Sequence, residues 1–244
     1  MVSKSQIKLI TSLEQKKYRA KTGLFIVEGK KGISEFLQSS LQLETLFTAE
    51  DIFNTPASKT SLITPEELKK ISRLHTPQTA LALFKIPEET NPDMSGLIVV
   101  LDGVRDPGNL GTIIRLCDWF GIGELVCSRG TVDCYNPKVV QASMGSLTRV
   151  KVIYKDLQEL VDSNPEMPVM GTFLEGENIY TTTLPATGLL ILGNEANGIS
   201  SAVEKLVTRR LTIPQFGPVE NTESLNVATA TAILLSEFRR QENY

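Results

Sequence analysis

The stretch LDGVRDPGNLGTIIRLCDWFG, Leu101 to Gly121, decides the fold because it joins the end of an apolar strand to an amphipathic helix. Pro107 and Gly108 make the turn, Asn109 is placed to cap the helix, and Arg115 lies six residues further on. A strand-to-helix corner needs only one or two polar residues. The density of polar and charged side chains at this corner therefore indicates a functional site.

The same alternation of apolar strand and helix continues to the end of the chain. Strands are predicted at 96–102, 124–128, 150–154, 169–174, 188–193 and 209–214, with helices between most of them and a long helix from about Glu223. Continuous apolar strands separated by helices predict a parallel sheet that is covered on both faces. In such α/β sheets the working site lies beyond the carboxyl ends of the strands.

The first part of the chain predicts a smaller α/β unit, with strands at 25–29, 43–48 and 79–86. Thr64 and Glu67 form a capping-box pattern around Pro65, which predicts a helix start. The segment PEETNPDMSG, 87–96, is polar, rich in proline and without periodicity, as linkers are. We therefore predict two domains, 1–88 and 96–244; one continuous sheet is the alternative.

Composition is that of a globular protein, with 41% hydrophobic and 22% charged residues. The chain shows no apolar run of the roughly 18 residues that a membrane span needs, and its first ten residues lack the apolar core of a signal peptide. We expect a cytoplasmic protein. Cys117, Cys127 and Cys134 are odd in number and lack metal-ligand spacing, so buried reduced thiols are expected rather than a disulfide or a metal site.

Charge is distributed unevenly along the chain. Residues 1–31 hold eight basic and two acidic residues, a net charge of +6. The rest of the chain has a net charge of −9, which gives the whole chain its net charge of −3. This asymmetry predicts a basic patch that faces a polyanion, with a solvated N-terminal helix as the alternative. The candidates for RNA contact are the basic residues Lys16, Lys17, Arg19 and Lys21.

Several enzyme classes are excluded by missing motifs. No GxGxxG follows a strand and opens a helix, so a dinucleotide-dependent oxidoreductase lacks its fingerprint, and no GxxxxGK[ST] phosphate loop occurs. The one histidine, His75, lies in the first domain and is expected to be structural. The chemistry must therefore proceed without a histidine base, and we expect no metal.

Two further strand ends are as polar as the first. The stretch LLILGNEANGIS, 189–200, ends an apolar strand in Gly193, Asn194 and Glu195, and IPQFGPVENTESLNVATATAILLSE, 213–237, places Ser224 to Asn226 before a helix. Each feature alone has a structural explanation, such as a helix cap, a turn glycine or a surface charge. Their occurrence at three strand ends of one sheet indicates a shared site.

These three stretches resemble the ordered motifs of the SpoU-type RNA ribose 2′-O-methyltransferases, the TrmH branch of the SPOUT superfamily. NPKVVQASMGS, 136–146, supports the resemblance, and the first part of the chain resembles the substrate-binding domain of the family. The resemblance implies an α/β parallel-sheet methyltransferase domain with a trefoil knot, preceded by a smaller α/β RNA-binding domain. It also implies a homodimer that uses S-adenosylmethionine.

The implied activity is methyl transfer to a ribose 2′-hydroxyl of structured RNA, with ribosomal RNA favoured. The alternatives are a transfer RNA 2′-O-methyltransferase and a catalytically silent RNA-binding factor for ribosome assembly. By motif match the resemblance assigns catalytic roles to Arg115, Asn109, Glu195, Ser224 and Asn226. It assigns cofactor binding to Thr172, Gly193, Ile213 and Leu225.

Two departures from the family pattern stand out. Gln215 occupies a position where Met is usual, and about three extra residues lie between Gly217 and Ser224.

Overall fold

The computed structural model describes residues 1–217 and 224–243; the extra loop residues noted above lie outside the described residues. The strands in chain order are β1 Leu24–Glu28, β2 Leu43–Thr48, β3 Thr60–Leu62, β4 Ala80–Lys85, β5 Leu97–Leu101, β6 Glu124–Ser128, β7 Lys151–Lys155, β8 Val169–Asn178, β9 Gly188–Leu192 and β10 Arg209–Thr212. The helices are α1 Lys4–Ser12, α2 Lys16–Thr22, α3 Lys30–Leu37, α4 Pro65–Ile71, α5 Pro107–Trp119, α6 Pro137–Ala142, α7 Leu157–Asp162, α8 Ser201–Glu204 and α9 Val227–Asn243.

These elements form two compact units. The first comprises residues 1–88 together with 133–149, and the second comprises 89–132 and 150–244. The helix α6, which the sequence placed in the second domain, thus belongs by its contacts to the first unit. The predicted linker belongs to the second, where Lys155 Nζ donates to Asn91 Oδ1 over 2.8 Å. The domain boundaries at 88 and 96 stay a prediction.

The first unit is built on a four-stranded sheet of order β1-β4-β2-β3, in which only β2 and β3 run parallel. Its core includes Ile10, Ile26, Phe47 and Leu81, all almost fully buried. The predicted capping box at α4 is present, because Thr64 Oγ1 accepts from the Glu67 backbone N–H and the Glu67 carboxylate accepts from the Thr64 N–H.

In the same unit, helix α6 stops at Ala142. Met144 and Gly145 have φ values of 51° and 93°, and left-handed residues cannot continue a right-handed helix. An added Cβ at Gly145 would lie 3.0 Å from the Glu35 side chain, so this turn suits only glycine. The chain then continues as a short 3₁₀ turn, Ser146–Thr148.

The second unit is built on a six-stranded sheet of order β10-β8-β9-β5-β6-β7, in which every recorded pairing is parallel. The predicted parallel α/β class is confirmed, whereas the knot stays a prediction. The central strands β5 and β9 are nearly all buried, which explains their continuous apolar sequences. The chain continues from β5 toward one side of the sheet, to β6, and from β9 toward the other side, to β10. The carboxyl ends of β5 and β9 therefore flank the crevice where α/β proteins bind ligands.

The three cysteines are buried and form no disulfide, as expected. Burial is the main cause that raises the pKa of the Cys117 thiol to about 12, so this thiol stays protonated at neutral pH. Among residues 1–217 and 224–243, no helix combines the length and apolar character that crossing a membrane requires.

Candidate active site

The carboxyl ends of β5 and β9 are joined by hydrogen bonds that bring two of the polar corners together. The Asp102 N–H donates to Leu192 O over 2.9 Å, and Asp102 Oδ2 accepts from the Ser200 N–H over 2.8 Å. Asn194 Nδ2 donates to Gly103 O over 2.6 Å. The loop after each strand is therefore held in place by the loop after the other.

Asn109 does not cap α5, which corrects the sequence interpretation. Asp106 is the N-cap, and its carboxylate accepts from the backbone N–H of Asn109 over 2.8 Å. Pro107 occupies the first helical position, where its missing N–H costs nothing, and so places the cap at Asp106, three residues before Asn109. The side chain of Asn109 is thereby left available for the site, and its Nδ2 donates to Glu195 Oε1 over 2.8 Å.

Asn226 links the third corner to the other two. Its Oδ1 accepts from the backbone N–H groups of Ala228 and Thr229, over 2.9 and 3.3 Å, and so caps α9. Its Nδ2 donates to Asn109 Oδ1 over 3.0 Å. Asn226, Asn109 and Glu195 thus form a continuous hydrogen-bonded chain that connects all three corners. The long helix begins at Val227 rather than near Glu223 because Asn226 is the cap.

Two predicted catalytic residues lie outside this chain of hydrogen bonds. Arg115 is exposed on α5, and in the described part of the chain it has no recorded ion pair or hydrogen bond. Six helical residues turn the chain by about 600°, so Arg115 projects roughly 120° around the helix from Asn109. Ser224 is exposed and lies on a cavity wall, without a recorded bond to Asn109 or Asn226.

A cavity of about 520 Å³ opens beside Glu195, between the middle of β8, the loop that follows β9 and the segment that follows β10. All four predicted cofactor-binding residues line it, namely Thr172, Gly193, Ile213 and Leu225. Its volume lies within the range of roughly 300–1,000 Å³ that small-molecule sites occupy. Buried apolar side chains of Leu192, Ile199, Leu211 and Leu234 form part of the wall, and Asn194 and Glu195 add polar groups.

Gly193 is required by close backbone approach. A Cβ added there would lie 2.1 Å from the carbonyl carbon of Gly198 and the nitrogen of Ile199. The hairpin is closed by two backbone hydrogen bonds of 2.8 Å between Asn194 and Gly198, and Gly198 has a left-handed φ of 66°. At this point the cavity is walled by backbone, which can approach a planar ligand closely.

The sequence reasoning missed a charged cluster on the cavity wall. Arg210 Nη1 donates to Glu204 Oε1 over 2.6 Å, and the Arg210 guanidinium lies 3.5 Å from the ring centroid of Phe173. Phe173 and Arg210 lie on the neighbouring strands β8 and β10. No local pattern predicts this stacking, because it depends on which strands become neighbours.

The basic residues of the first unit divide into two groups. Lys16, Lys17 and Lys21 are exposed, as an RNA-contacting patch requires. Arg19 is only 2% exposed and forms an ion pair with Asp133, and its Nη1 also donates to the backbone carbonyl of Leu13 over 2.7 Å. Its guanidinium is occupied inside the unit, so the prediction that Arg19 binds RNA is wrong.

A parallel sheet with hydrogen-bonded polar loops beside a cavity at its carboxyl edge defines an α/β enzyme with a small-molecule site. The particular family follows from comparison with known proteins. The chain belongs to the SpoU rRNA methylase family, whose model matches residues 96–236. The model of an MRM3-like substrate binding domain matches residues 4–82. The family predicted from the three motifs is confirmed.

Individual relatives resemble the chain over nearly its whole length. The 23S rRNA (guanosine(2553)-2′-O)-methyltransferase RlmP of Bacillus subtilis is 30% identical over 93% of each chain. A solved structure of a TrmH-family protein from Porphyromonas gingivalis is 41% identical, covers 99% of each chain and superposes with a TM-score of 0.91. The AdoMet-bound rRNA methyltransferase of Sinorhizobium meliloti is 28% identical, covers 98% of this chain and 97% of its own, and has a TM-score of 0.87.

Proposed function

We propose that this protein transfers a methyl group from S-adenosylmethionine to a ribose 2′-hydroxyl of ribosomal RNA. The observation that carries the proposal is the hydrogen-bonded chain Asn226–Asn109–Glu195, which ends on the wall of the 520 Å³ cavity. One residue from each of the three motifs takes part in this chain. Such convergence favours a working site over three unrelated caps and turns.

The residues around the cavity suit S-adenosylmethionine, which when bound supplies an activated methyl group on a sulfonium sulfur. Gly193 leaves room for backbone to face the ligand, and the apolar side chains of Leu192, Ile199 and Leu211 provide a dry wall for a flat ring. We assign backbone contacts to Gly193, Ile213 and Leu225, and a further contact to Thr172 of β8, which also lines the cavity.

The remaining residues act on the attacking ribose oxygen. The new C–O bond forms as the C–S bond breaks, the bonding pair stays on sulfur, and the hydroxyl proton passes to water. The Arg115 guanidinium cation stabilises the charge that develops on the oxygen. Asn109, Ser224 and Asn226 orient the ribose, and Glu195 fixes the side chain of Asn109.

Two facts support ribosomal rather than transfer RNA. The first unit matches an MRM3-like substrate binding domain, and the B. subtilis relative, whose name specifies 23S rRNA, aligns over both units. By likeness to the B. subtilis relative, we infer a cytoplasmic location.

The decisive experiment offers the purified protein tritiated S-adenosylmethionine with 23S ribosomal RNA, 16S ribosomal RNA and bulk transfer RNA in parallel. We expect label in one ribosomal RNA, at a nucleotide that resists alkaline cleavage because its 2′-oxygen is blocked. Label in transfer RNA alone would favour the alternative substrate. Absence of label together with no calorimetric binding of S-adenosylmethionine would indicate a silent RNA-binding factor.

We further propose that Lys16, Lys17 and Lys21 contact the RNA backbone, since all three are exposed. Changing them together to Glu should weaken RNA binding and flatten its salt dependence, because fewer counterions are released. The matched control reverses three exposed lysines elsewhere in the unit, Lys69, Lys70 and Lys85. Equal losses in both variants would show that overall charge, rather than this patch, governs binding.

The family resemblance also supports a knotted homodimer. Trp119, the single tryptophan of the chain, is 84% exposed on α5, and a partner subunit would cover such a surface. Sedimentation should show a dimer, with Trp119 emission shifting to shorter wavelength as the dimer forms. If the dimer forms and the emission wavelength of Trp119 stays that of a water-exposed tryptophan, the dimer interface does not include Trp119.

A further inference from the structure

The arginines of this protein divide sharply by whether a carboxylate partners them. Seven of the ten form an ion pair, with Asp133, Glu14, Glu35, Glu177, Glu204, Glu242 and Glu237 as partners. Across residues 1–217 and 224–243, the three arginines without a recorded ion pair or hydrogen bond are Arg105, Arg115 and Arg129. All three are exposed.

Two of these arginines, Arg105 and Arg129, lie at one edge of the sheet in the second unit. Arg105 follows β5 by four residues, Arg115 lies on α5, and Arg129 directly follows β6. Because β5 and β6 are parallel neighbours, the loops that leave them meet at the same edge of the sheet, where Asn109 and Glu195 lie. Two exposed arginines thus lie at the edge that carries the candidate site, whereas Arg115 lies further along α5.

The two loops that carry Arg105 and Arg129 are tied together by hydrogen bonds. The Gly103 N–H donates to Ser128 Oγ over 2.9 Å, and the Val132 N–H donates to Val104 O over 2.9 Å. Each arginine is thus the direct neighbour of a residue that takes part in such a bond. Their backbones are fixed relative to each other, which lowers the cost of ordering when a ligand binds.

The carboxylates at this edge are occupied in ways that leave the arginines available. Asp102 accepts from the Ser200 N–H, Asp106 accepts from the Asn109 N–H, and Glu195 accepts from the Asn109 side chain. Each carboxylate therefore stabilises a loop or helix start through a hydrogen bond and forms no ion pair with Arg105 or Arg129 in the described residues. Fixed, exposed guanidinium groups with free donors are suited to bidentate binding of phosphate oxygens.

We propose that Arg105 and Arg129 bind backbone phosphates of the RNA that flank the target nucleotide, and so position its 2′-hydroxyl. The inference rests on the proposed function, because it takes the ligand at this edge to be RNA. Arg115 acts at the reacting oxygen, whereas these two residues act through the flanking backbone. The site thus binds the RNA backbone beside the target nucleotide as well as the reacting nucleotide itself.

The test is the double variant Arg105→Ala/Arg129→Ala, with binding of deproteinised 23S ribosomal RNA measured between 50 and 200 mM salt. We expect affinity to fall about tenfold or more at low salt, and the slope of log K against log salt to lose about 1.4–1.8, as two phosphate contacts fewer would give. The KM for RNA should rise, while calorimetric affinity for S-adenosylmethionine stays near that of the unaltered protein.

The matched control is Lys151→Ala/Lys205→Ala, which also removes two positive charges from the second unit. Lys151 begins β7 and Lys205 follows α8 shortly before β10, so both lie at the amino edge of the sheet. This control should bind RNA with the unaltered affinity and slope. Arg105→Lys/Arg129→Lys should keep the slope but lose part of the affinity, since lysine lacks the planar fork.

Two results would overturn the inference: an unchanged RNA affinity and slope in the double alanine variant, or an equal loss in the Lys151/Lys205 control. Failure of the proposed function has a different signature. In that case the unaltered protein itself would methylate no RNA or bind no S-adenosylmethionine, whereas the comparison of RNA binding between variants would still be readable.

Discussion

Asn226 donates a hydrogen bond from its side-chain Nδ2 to the Oδ1 of Asn109 over 3.0 Å, although 117 residues separate them in the chain. The orientation of both amides is fixed by their other partners. Asn226 Oδ1 must face the two backbone N–H donors of α9, and Glu195, which can only accept when ionised, requires the Asn109 amide nitrogen. The chain of hydrogen bonds therefore has one direction, from Asn226 through Asn109 to Glu195.

Asn109→Ala should remove both of these bonds at once. We expect the methyl-transfer rate to fall about 100-fold, the scale on which a misplacement near 1 Å acts, because Asn226 and Glu195 lose their common partner. Asn109→Asp should be at least as damaging, since it sets a second carboxylate against Glu195. Single-turnover labelling measures the loss, and Asn91→Ala, an exposed asparagine of the same unit, serves as the control. A normal rate in Asn109→Ala would show that the network only holds loops.

Arg115 should be essential for its fork as well as its charge. Arg115→Lys keeps the charge but not the planar pair of donors, so we expect it to behave almost as badly as Arg115→Ala. Both should lose about 100-fold or more in the transfer rate, as when one preorganised electrostatic donor is removed. Because Arg115 is exposed and supports no other residue of the described structure, thermal unfolding and S-adenosylmethionine binding should stay unchanged. Near-normal turnover in Arg115→Ala would show that Arg115 is a surface charge without a role in the reaction.

Features of this protein that depend on nearby residues could be predicted from the sequence. The parallel strands follow from apolar runs, and the capping box of Thr64 and Glu67 follows from a three-residue spacing. The cap at Asp106 could also have been found, because Pro107 marks the first helical position. The meeting of three polar corners followed from the rule for parallel sheets, and Asn109, Glu195 and Asn226 do meet.

Features that depend on distant partners could not be predicted in this way. Arg19 looked like one more cation of a basic segment, but its partner Asp133 is 114 residues away. The stacking of Arg210 on Phe173 depends on strand order, which no local pattern contains. Burial and pairing of a charge are properties of the packed unit, so a charge count alone misassigned Arg19.

Arg19→Ala should therefore destabilise the first unit rather than weaken RNA binding. The side chains of Arg19 and Asp133 are 2% and 13% exposed, and removing one member leaves the other charge buried without its partner. Losses of about 3–5 kcal/mol are usual for such a change. Urea unfolding should show this loss, whereas Lys21→Ala, an exposed neighbour, should change stability by less than about 0.5 kcal/mol. A stable Arg19→Ala protein with weakened RNA binding would restore the original assignment.

Glu237 should make α9 sensitive to acid. Arg240 donates to both of its carboxylate oxygens, over 2.8 and 2.7 Å, and these hydrogen bonds are the main cause that lowers the pKa of Glu237 from 4.5 to about 2. A carboxyl group whose pKa is lowered by folding stabilises the folded state fully above pH 4.5, and that contribution is lost as the pH falls toward 2. Gln241 donates to the same carboxylate and to the carbonyls of Ile179 and Thr182, so the loss extends to the loop before β9. Glu237→Gln should therefore be less stable than the unaltered protein at pH 7, and the difference between their melting temperatures should shrink as the pH is lowered to 3. A difference that stays constant over this range would show that the carboxylate contributes through packing and not through its charge.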